Sequence, residues 1–277
     1  MDNDIPLAGV IGDPISHSKS PLLHGHWLKR YEISGHYIPM RVKRENLSKV
    51  LKRLPEMGFK GVNITIPHKE LALELADTVT DRAALIGAAN TLTFSRSKSI
   101  QADNTDGVGF IANIRQKIPD WRPQDGAALI LGAGGASRAV VSALLVEGTP
   151  RIMLANRTRA RAETLRESMG ARIELLDWTK LPIALSEASL VVNTTSLGMK
   201  GSAPFNLDMT RMRPGTIAVD LIYNPLHTDF LRQAERHDAI IVDGLGMLLH
   251  QAAPGFERWF GVTPEVDDTL RKAVLTG

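Results

Sequence analysis

Leu131-Gly132-Ala133-Gly134-Gly135-Ala136-Ser137-Arg138 follows directly on the apolar run Ala127 to Leu131 and leads into a helical stretch, Ala139 to Glu147. Glycines in a strand-to-helix turn let the backbone approach a pyrophosphate, and the N–H groups opening the next helix favour its charge. An NAD site would carry an acid for the ribose 2′-hydroxyl at the end of the second strand. Here that position reads Asn156-Arg157-Thr158-Arg159-Ala160-Arg161, and no Asp or Glu occurs between Pro150 and Ala162. A guanidinium there pairs with the extra 2′-phosphate of NADP. A glycine turn alone is weak evidence, because many helix-opening loops use glycine only for positive φ. Strand, turn, helix, second strand and basic site in that order are much harder to obtain by chance. Arg159 is read as part of a solvated helix face.

Four polar clusters lie outside this region, at strand ends or in the loops after them, where open α/β sheets present ligands. In Gly12-Asp13-Pro14-Ile15-Ser16-His17-Ser18-Lys19-Ser20-Pro21, Ser18 and Ser20 offer hydroxyls at a helix N-terminus, a neutral way to hold a carboxylate. Ser20 could equally do no more than cap the helix that starts at Pro21. Asn63-Ile64-Thr65-Ile66-Pro67-His68-Lys69 ends a strand and projects Asn63, Thr65 and Lys69 together. A lysine near a helix N-terminus can be tuned for proton transfer, although a single lysine is ordinarily a solvated charge. The remaining clusters are Gly87-Ala88-Ala89-Asn90-Thr91 and Asp103-Asn104-Thr105-Asp106-Gly107; Asp106 either orients Lys69 or caps a helix. Together they describe a pocket for a small polyhydroxylated acid.

The elements that must position these groups alternate. Strands are expected at Ile5 to Ile11, Tyr37 to Val42, Gly61 to Ile66, Ala88 to Phe94 and near Ile100. Helices are expected at Pro21 to Glu32, Leu47 to Met57, His68 to Leu75, Arg82 to Gly87 and Asp106 to Ile118. A second βαβ series has strands at Ala127 to Leu131, Ile152 to Asn156, Leu190 to Thr194, Ile217 to Leu221 and Ile240 to Val242, followed by a helix over Leu245 to Phe260. The pattern predicts an α/β protein of two domains with mainly parallel sheets. Residues 1–106 with 244–277 would form a substrate domain, and 107–243 an inserted Rossmann-type nucleotide domain, the C-terminal helix returning to the first.

At 277 residues the length accommodates two domains, and 43% hydrophobic with 23% charged residues is ordinary for a globular chain. Zero cysteines exclude disulfides, thiol nucleophiles and thiolate metal sites. No apolar run approaches the length of a membrane span, and the start Met1-Asp2-Asn3-Asp4 is unlike a signal peptide, so the cytoplasm is expected. The net charge of +3 is mild and the basic residues carry no interleaved aromatics, which argues against nucleic acid and for anionic small molecules. The histidines show no metal-binding spacing, and no metal is expected.

The combined motifs resemble the shikimate dehydrogenase family essentially end to end. They are Ser-x-Ser-Pro, Asn-Ile-Thr-Ile-Pro-His-Lys, Ala-Asn-Thr-Leu, Asn-Thr-Asp-Gly, Gly-Ala-Gly-Gly-Ala, Asn-Arg-Thr, Asn193-Thr194-Thr195-Ser196-Leu197-Gly198-Met199 and Asp243-Gly244-Leu245-Gly246-Met247-Leu248-Leu249-His250-Gln251-Ala252. The resemblance implies NADPH-dependent reduction of 3-dehydroshikimate, with Lys69 and Asp106 as the catalytic pair. Ser18 and Ser20, helped by Tyr223, would hold the substrate carboxylate, and Asn63, Thr65, Asn90 and Gln251 the ring hydroxyls. Gly132, Ala133, Gly134, Gly135 and Ala136 would cradle the pyrophosphate, and Asn156, Arg157, Thr158 and Arg161 the 2′-phosphate. Leu221 and Gly244 would line the nicotinamide end, and Asp81 would lie near the cofactor. Ala89 stands where the family often has valine. Two rivals remain: a quinate/shikimate dehydrogenase using NAD or both cofactors, and a non-catalytic NADP-binding regulator. A homodimer through the stretch Ile33 to Met40 is a further expectation.

Overall fold

The computed structural model of the chain describes residues 5–277; the acidic start Met1 to Asp4 lies outside them. The described chain clusters into two compact units. One runs to Thr105 and includes Leu249–Gly277; the other is Asp106–Leu248.

The first unit orders β1 (Leu7–Gly12), α1 (Ser20–Arg30), β2 (His36–Arg41), α2 (Leu47–Arg53), β3 (Phe59–Ile64), α3 (Lys69–Glu74), β4 (Thr78–Val79), α4 (Asp81–Ile86), β5 (Thr91–Phe94) and β6 (Ile100–Asp103). Its sheet has the order β2-β1-β3-β5-β6-β4. The β1–β2, β1–β3 and β4–β6 pairings are parallel, whereas β5 runs antiparallel to β3 and β6. That reversal follows from chain length: the link Ser95 to Ser99 is far too short for a crossover helix. It closes as a hairpin through Ser95 N–H to Ser99 O and Lys98 N–H to Ser95 O, with Lys98 in the left-handed region. Ile11, Leu51, Val62, Ile64, Leu92 and Ala102 are buried in one core cluster of this unit. The helix expected over Leu47 to Met57 stops at Arg53 and continues as a 3₁₀ turn, Leu54–Met57, because Pro55 has no N–H to extend the ladder.

The second unit carries α5 (Asp106–Lys117), β7 (Ala127–Leu131), α6 (Gly135–Val146), β8 (Ile152–Ala155), α7 (Arg159–Met169), β9 (Ile173–Leu176), α8 (Leu181–Glu187), β10 (Ala188–Asn193), β11 (Ile217–Asp220), α9 (Asp229–Glu235) and β12 (Ile240–Val242). All pairings in its sheet, order β12-β11-β10-β7-β8-β9, are parallel. Strand order reverses between β7 and β10, which opens a ligand crevice at their C-terminal ends. Two clusters of buried residues cover the two faces, one around Phe110, Ile130 and Val192, the other around Leu131, Val191 and Phe230. β9 escaped the sequence reading because it is a four-residue edge strand whose segment, Ile-Glu-Leu-Leu, shows no clean alternation.

Helix α10 spans Gly244–Phe260 and crosses the division between the units; α11 (Asp268–Thr276) follows and packs on α1. Arg30 of α1 pairs with Glu265 at 2.8 Å and Asp267 at 2.7 Å. Among the described residues no helix is long and apolar enough to cross a membrane.

Candidate active site

In the first unit the polar clusters are joined by backbone bonds. Thr65 N–H donates to Ile11 O at 2.9 Å and Asp13 N–H to Ile66 O at 3.1 Å, which places the loops after β1 and β3 side by side. Ser20 is the first residue of α1, and its own N–H donates to Ser18 Oγ at 3.3 Å. Ser18 is therefore the serine that caps an amide, and the Ser20 hydroxyl is not a helix cap. Lys69 opens α3, and its carbonyl accepts from Ala89 N–H at 2.9 Å, which puts it next to the strand that begins after Asn90.

Asn90 is buried, and its Oδ1 accepts from Thr91 Oγ1 at 2.9 Å and from Thr105 N–H at 2.9 Å. These bonds fix which end of the amide is which, so its Nδ2 donates to Gln251 Oε1 at 2.8 Å. Thr105 Oγ1 also donates to Gln251 O at 2.8 Å. Asn63 donates from Nδ2 to Asn90 O at 3.1 Å and to Thr91 Oγ1 at 3.3 Å, while Oδ1 accepts from Tyr37 Oη at 2.7 Å. Both N–H groups of Asn63 are thereby committed, so toward a ligand hydroxyl Asn63 can only accept. Asn63, Asn90 and Gln251 thus form one row beside Lys69. A row of oriented amides suits a ligand with several hydroxyls.

In the second unit Asp106 is the first residue of α5 and is buried. Gly132 adopts φ +111°, and a Cβ there would stand 2.6 Å from Thr194 Oγ1, so the turn leaving β7 requires glycine. α6 starts at Gly135, a full turn before the expected Ala139, with Ser137 Oγ donating to Gly132 O at 2.7 Å. The glycine-rich segment is thus the helix N-terminus itself. A Cβ at Gly134 or Gly135 would meet nothing within 4 Å. Their outer face is open to a phosphate, where the first N–H groups of a helix lack intrahelical acceptors.

Asn156 bridges this turn to the next strand's loop, accepting from Ala133 N–H at 3.2 Å and donating to Thr158 O at 2.7 Å. Arg157, Thr158 and Arg161 are exposed, and neither arginine forms an ion pair among the described residues. Arg159 does, with Glu163 at 3.0 Å and Asp177 at 2.8 Å. A cavity of about 400 Å³ lies beside them, walled by Asn156, Arg157, Arg159, Leu175, Asp177, Trp178 and Leu197. Open glycine amides, unneutralised arginines and an adjoining partly apolar slot fit a 2′-phosphorylated adenine dinucleotide. Gly244 meets Leu221 closely, since a Cβ on it would lie 2.3 Å from Leu221 O. Tyr223 follows in the same loop, 36% exposed, and the burial of the rest of its side chain raises its pKa. Asp81 is exposed at the first turn of α4, in the first unit.

Several supporting residues went unread in the sequence. Asp220, buried at the end of β11, accepts from Thr228 Oγ1 at 2.6 Å, Ile222 N–H at 3.0 Å and Asn193 Nδ2 at 3.1 Å, and so holds the loop that carries Leu221. Tyr37 and Trp178 are the others, together with Asp103, which opens one of the polar clusters but to which the sequence assigns no role. A buried polar residue in an apolar context was the available signal for Asp103 and Asp220; for Trp178 there was none.

An inserted, doubly wound nucleotide unit with a glycine turn and basic 2′-site, joined to an amide-lined unit, defines a dinucleotide-dependent oxidoreductase acting on a small polar ligand. Residues 10–92 match the shikimate dehydrogenase substrate binding domain, 114–200 the shikimate/quinate 5-dehydrogenase family, and 244–275 the shikimate 5′-dehydrogenase C-terminal domain. The shikimate dehydrogenase (NADP(+)) of Jannaschia sp. (strain CCS1) is 61% identical over 273 residues, covering 99% of this chain and 98% of that protein. That of Paracoccus denitrificans (strain Pd 1222) is 59% identical, covering 98% and 96%. Among solved structures, the Thermus thermophilus shikimate 5-dehydrogenase in complex with NADP(H) and shikimate aligns with TM-score 0.87 at 35% identity, covering 98% of this chain and 99% of that one. The quinate dehydrogenase from Corynebacterium glutamicum in complex with NAD aligns with TM-score 0.91 at 27% identity, covering 99% and 100%. The chain belongs to the shikimate dehydrogenase family.

Proposed function

We propose that the chain catalyses the reversible, NADP-linked interconversion of shikimate and 3-dehydroshikimate, a step toward chorismate and the aromatic amino acids, in the cytoplasm. The observation that carries this reading is the row Asn63, Asn90 and Gln251 beside Lys69, a set of oriented hydrogen-bonding groups that matches a polyhydroxylated ring. Residues 1–106 with 244–277 would bind the substrate and 107–243 the cofactor.

NADPH, when bound, supplies the hydride. The protein orients the ring and manages the proton. Ser18 and Ser20 donate to the carboxylate, with Tyr223 assisting, and Thr65, Asn63, Asn90 and Gln251 hold the hydroxyls. Lys69 stabilises the developing alkoxide at the reduced carbon and gives it a proton, while Asp106 positions the ammonium. In the reverse direction the neutral Lys69 amine receives the alcohol proton and becomes the ammonium. Gly132 to Ala136 cradle the pyrophosphate; Asn156, Arg157, Thr158 and Arg161 take the 2′-phosphate; Leu221, Gly244 and Asp81 complete the cofactor set. Replacing Lys69 by Ala is expected to lower kcat by roughly 10²- to 10⁴-fold with NADPH affinity unchanged. Turnover equal to the unsubstituted protein would remove Lys69 from the chemistry.

The similarity to an NAD-bound quinate dehydrogenase supports a second reading, broader in substrate and cofactor. The unpaired Arg157 favours NADP, and kcat/KM for shikimate and quinate with each cofactor separates the readings. Binding of NADP without turnover would instead favour the regulatory reading. A homodimer through the edge strand β2, where Ile38 is exposed, belongs to the same proposal and is tested by sedimentation equilibrium.

A further inference from the structure

Tyr37 has no place in the chemistry above, yet its hydroxyl holds a group that does. Its Oη donates to Asn63 Oδ1 at 2.7 Å. A phenol has one proton, and here it is committed to the Asn63 amide oxygen. From there the bonds continue in one direction. Asn63 Nδ2 donates to Thr91 Oγ1 at 3.3 Å, Thr91 Oγ1 to Asn90 Oδ1 at 2.9 Å, and Asn90 Nδ2 to Gln251 Oε1 at 2.8 Å. An unbroken, uniformly oriented chain therefore runs Tyr37, Asn63, Thr91, Asn90, Gln251. Chains of this kind polarise one another, and each bond fixes the orientation of the next amide.

The ring is held where the hydroxyl needs to be. Tyr37 is 8% exposed and stacks face to face on His24, with centroids 3.8 Å apart and planes 4° from parallel. His24 is fully buried among Trp27, Phe256 and Trp259, and neither of its ring nitrogens has a hydrogen-bond partner. It acts as a flat wall that fixes the phenol ring without competing for its proton.

We propose that Tyr37 is a positioning residue that orients the hydroxyl-holding row of the substrate site, Asn63, Asn90 and Gln251. The inference rests on the substrate reading given under Proposed function. Tyr37→Phe removes one oxygen and leaves the ring, so Asn63 Oδ1 loses its donor and the amide is free to turn over. The expected result is a rise in KM for shikimate of roughly five- to thirtyfold, with kcat and KM for NADP within about twofold. Packing alone predicts no such selective split.

The test is a double-mutant cycle in kcat/KM with Tyr37→Phe and Asn63→Ala. A double variant that loses clearly less than the product of the single losses supports the coupling. Losses that simply multiply, or a Tyr37→Phe KM equal to the unsubstituted value, overturn it. Should Tyr37→Phe fail to fold, a trifluorotyrosine at position 37 keeps the ring and alters only the donor strength. A changed shikimate KM at unchanged Tm then supports the proposal, and an unchanged KM overturns it. If the unsubstituted protein turns over no shikimate, the functional reading fails by itself, and the same variants are compared by calorimetric affinity for shikimate, with equal affinities overturning the role of Tyr37.

Discussion

Arg258 Nη2 donates to Asp103 Oδ2 at 2.6 Å, and Arg82 grips the same carboxylate from the other side through Nε at 2.6 Å and Nη2 at 2.5 Å. Thr80 Oγ1 and Asn104 N–H complete the set at 2.8 and 2.7 Å. Asp103 is entirely buried at the end of β6, and its carbonyl accepts from Asn90 N–H at 3.0 Å. Gln251 lies two helical turns before Arg258, on the same face of α10. One carboxylate thereby sets both the strand end that carries Asn90 and the register of the helix that carries Gln251.

Asp103→Asn keeps the shape but leaves two guanidinium groups without their counter-charge. The carboxylate is buried but both guanidiniums are about a third exposed, so water screens part of the loss. The cost is about 1–3 kcal/mol, still a sizeable part of the stability of an ordinary domain. Urea unfolding should show the midpoint falling with an unchanged slope. A loss below about 1 kcal/mol would mean that the arginines find other partners. Burial alone would raise the Asp103 pKa, but hydrogen bonds from Arg82, Arg258 and Thr80 hold it well below the usual carboxylate range. This contribution is present above the unfolded-state value near 4 and disappears as the pH falls further.

His24 acts over a different pH window. Burial pushes its pKa down to about 3. The unfolded chain takes up this proton near pH 6.5, so between those values the unfolded state binds more protons and acidification favours unfolding. The slope attributable to His24 is at most about 1.4 kcal/mol per pH unit. His24→Phe keeps a flat ring against Tyr37 and should lose less stability than the unsubstituted protein between pH 7 and pH 5. Equal losses would show that His24 is protonated in the folded state.

The strand, glycine turn and helix at Ala127 to Val146 were legible because they are local, lying within one short stretch, with glycine dictated by backbone geometry at Gly132. Lys69 and Asn90 were legible as residue types at strand ends. What the sequence withheld was long-range. The reversal of β5 depends on a short hairpin, the Asn90–Gln251 bond spans 161 positions, and the Asp103–Arg258 pair spans 155. Tyr37 read as an ordinary strand aromatic, since nothing adjacent in sequence marks a phenol whose partners lie in α1 and β3. Ser20 illustrates an alternative that only coordinates could close: the amide cap comes from Ser18, two residues earlier.

Two glycines of the cofactor turn should fail in different ways. At Gly132 an added methyl meets Thr194 and the backbone sits at φ +111°, so Gly132→Ala should lower Tm by several degrees as well as weaken NADP binding. At Gly134 a Cβ meets nothing within 4 Å, so Gly134→Ala should leave Tm within about 1 °C and still raise KM for NADP, because its methyl occupies the face left to the pyrophosphate. Thermal melts beside cofactor kinetics separate the two effects. A normal KM in Gly134→Ala would remove that face from the cofactor site.

The basic edge of the second unit should discriminate between nucleotides. Arg157 is exposed and carries no ion pair among the described residues, whereas Arg159 is already held by Glu163 and Asp177. A charge-assisted pair with a 2′-phosphate is worth about 1.5–3 kcal/mol, so Arg157→Ala should raise KM for NADP by roughly 10- to 150-fold. KM for NAD, which lacks that phosphate, should barely move, and Arg159→Ala should have little effect on either. Trp178 lines the adjoining cavity, so its indole reports occupancy directly. Adding 2′,5′-ADP should change the tryptophan emission, and Trp178→Phe should abolish the change while leaving Trp27, Trp121 and Trp259 in place. An emission change that survives this substitution would place the nucleotide base outside the slot between Arg157 and Leu197.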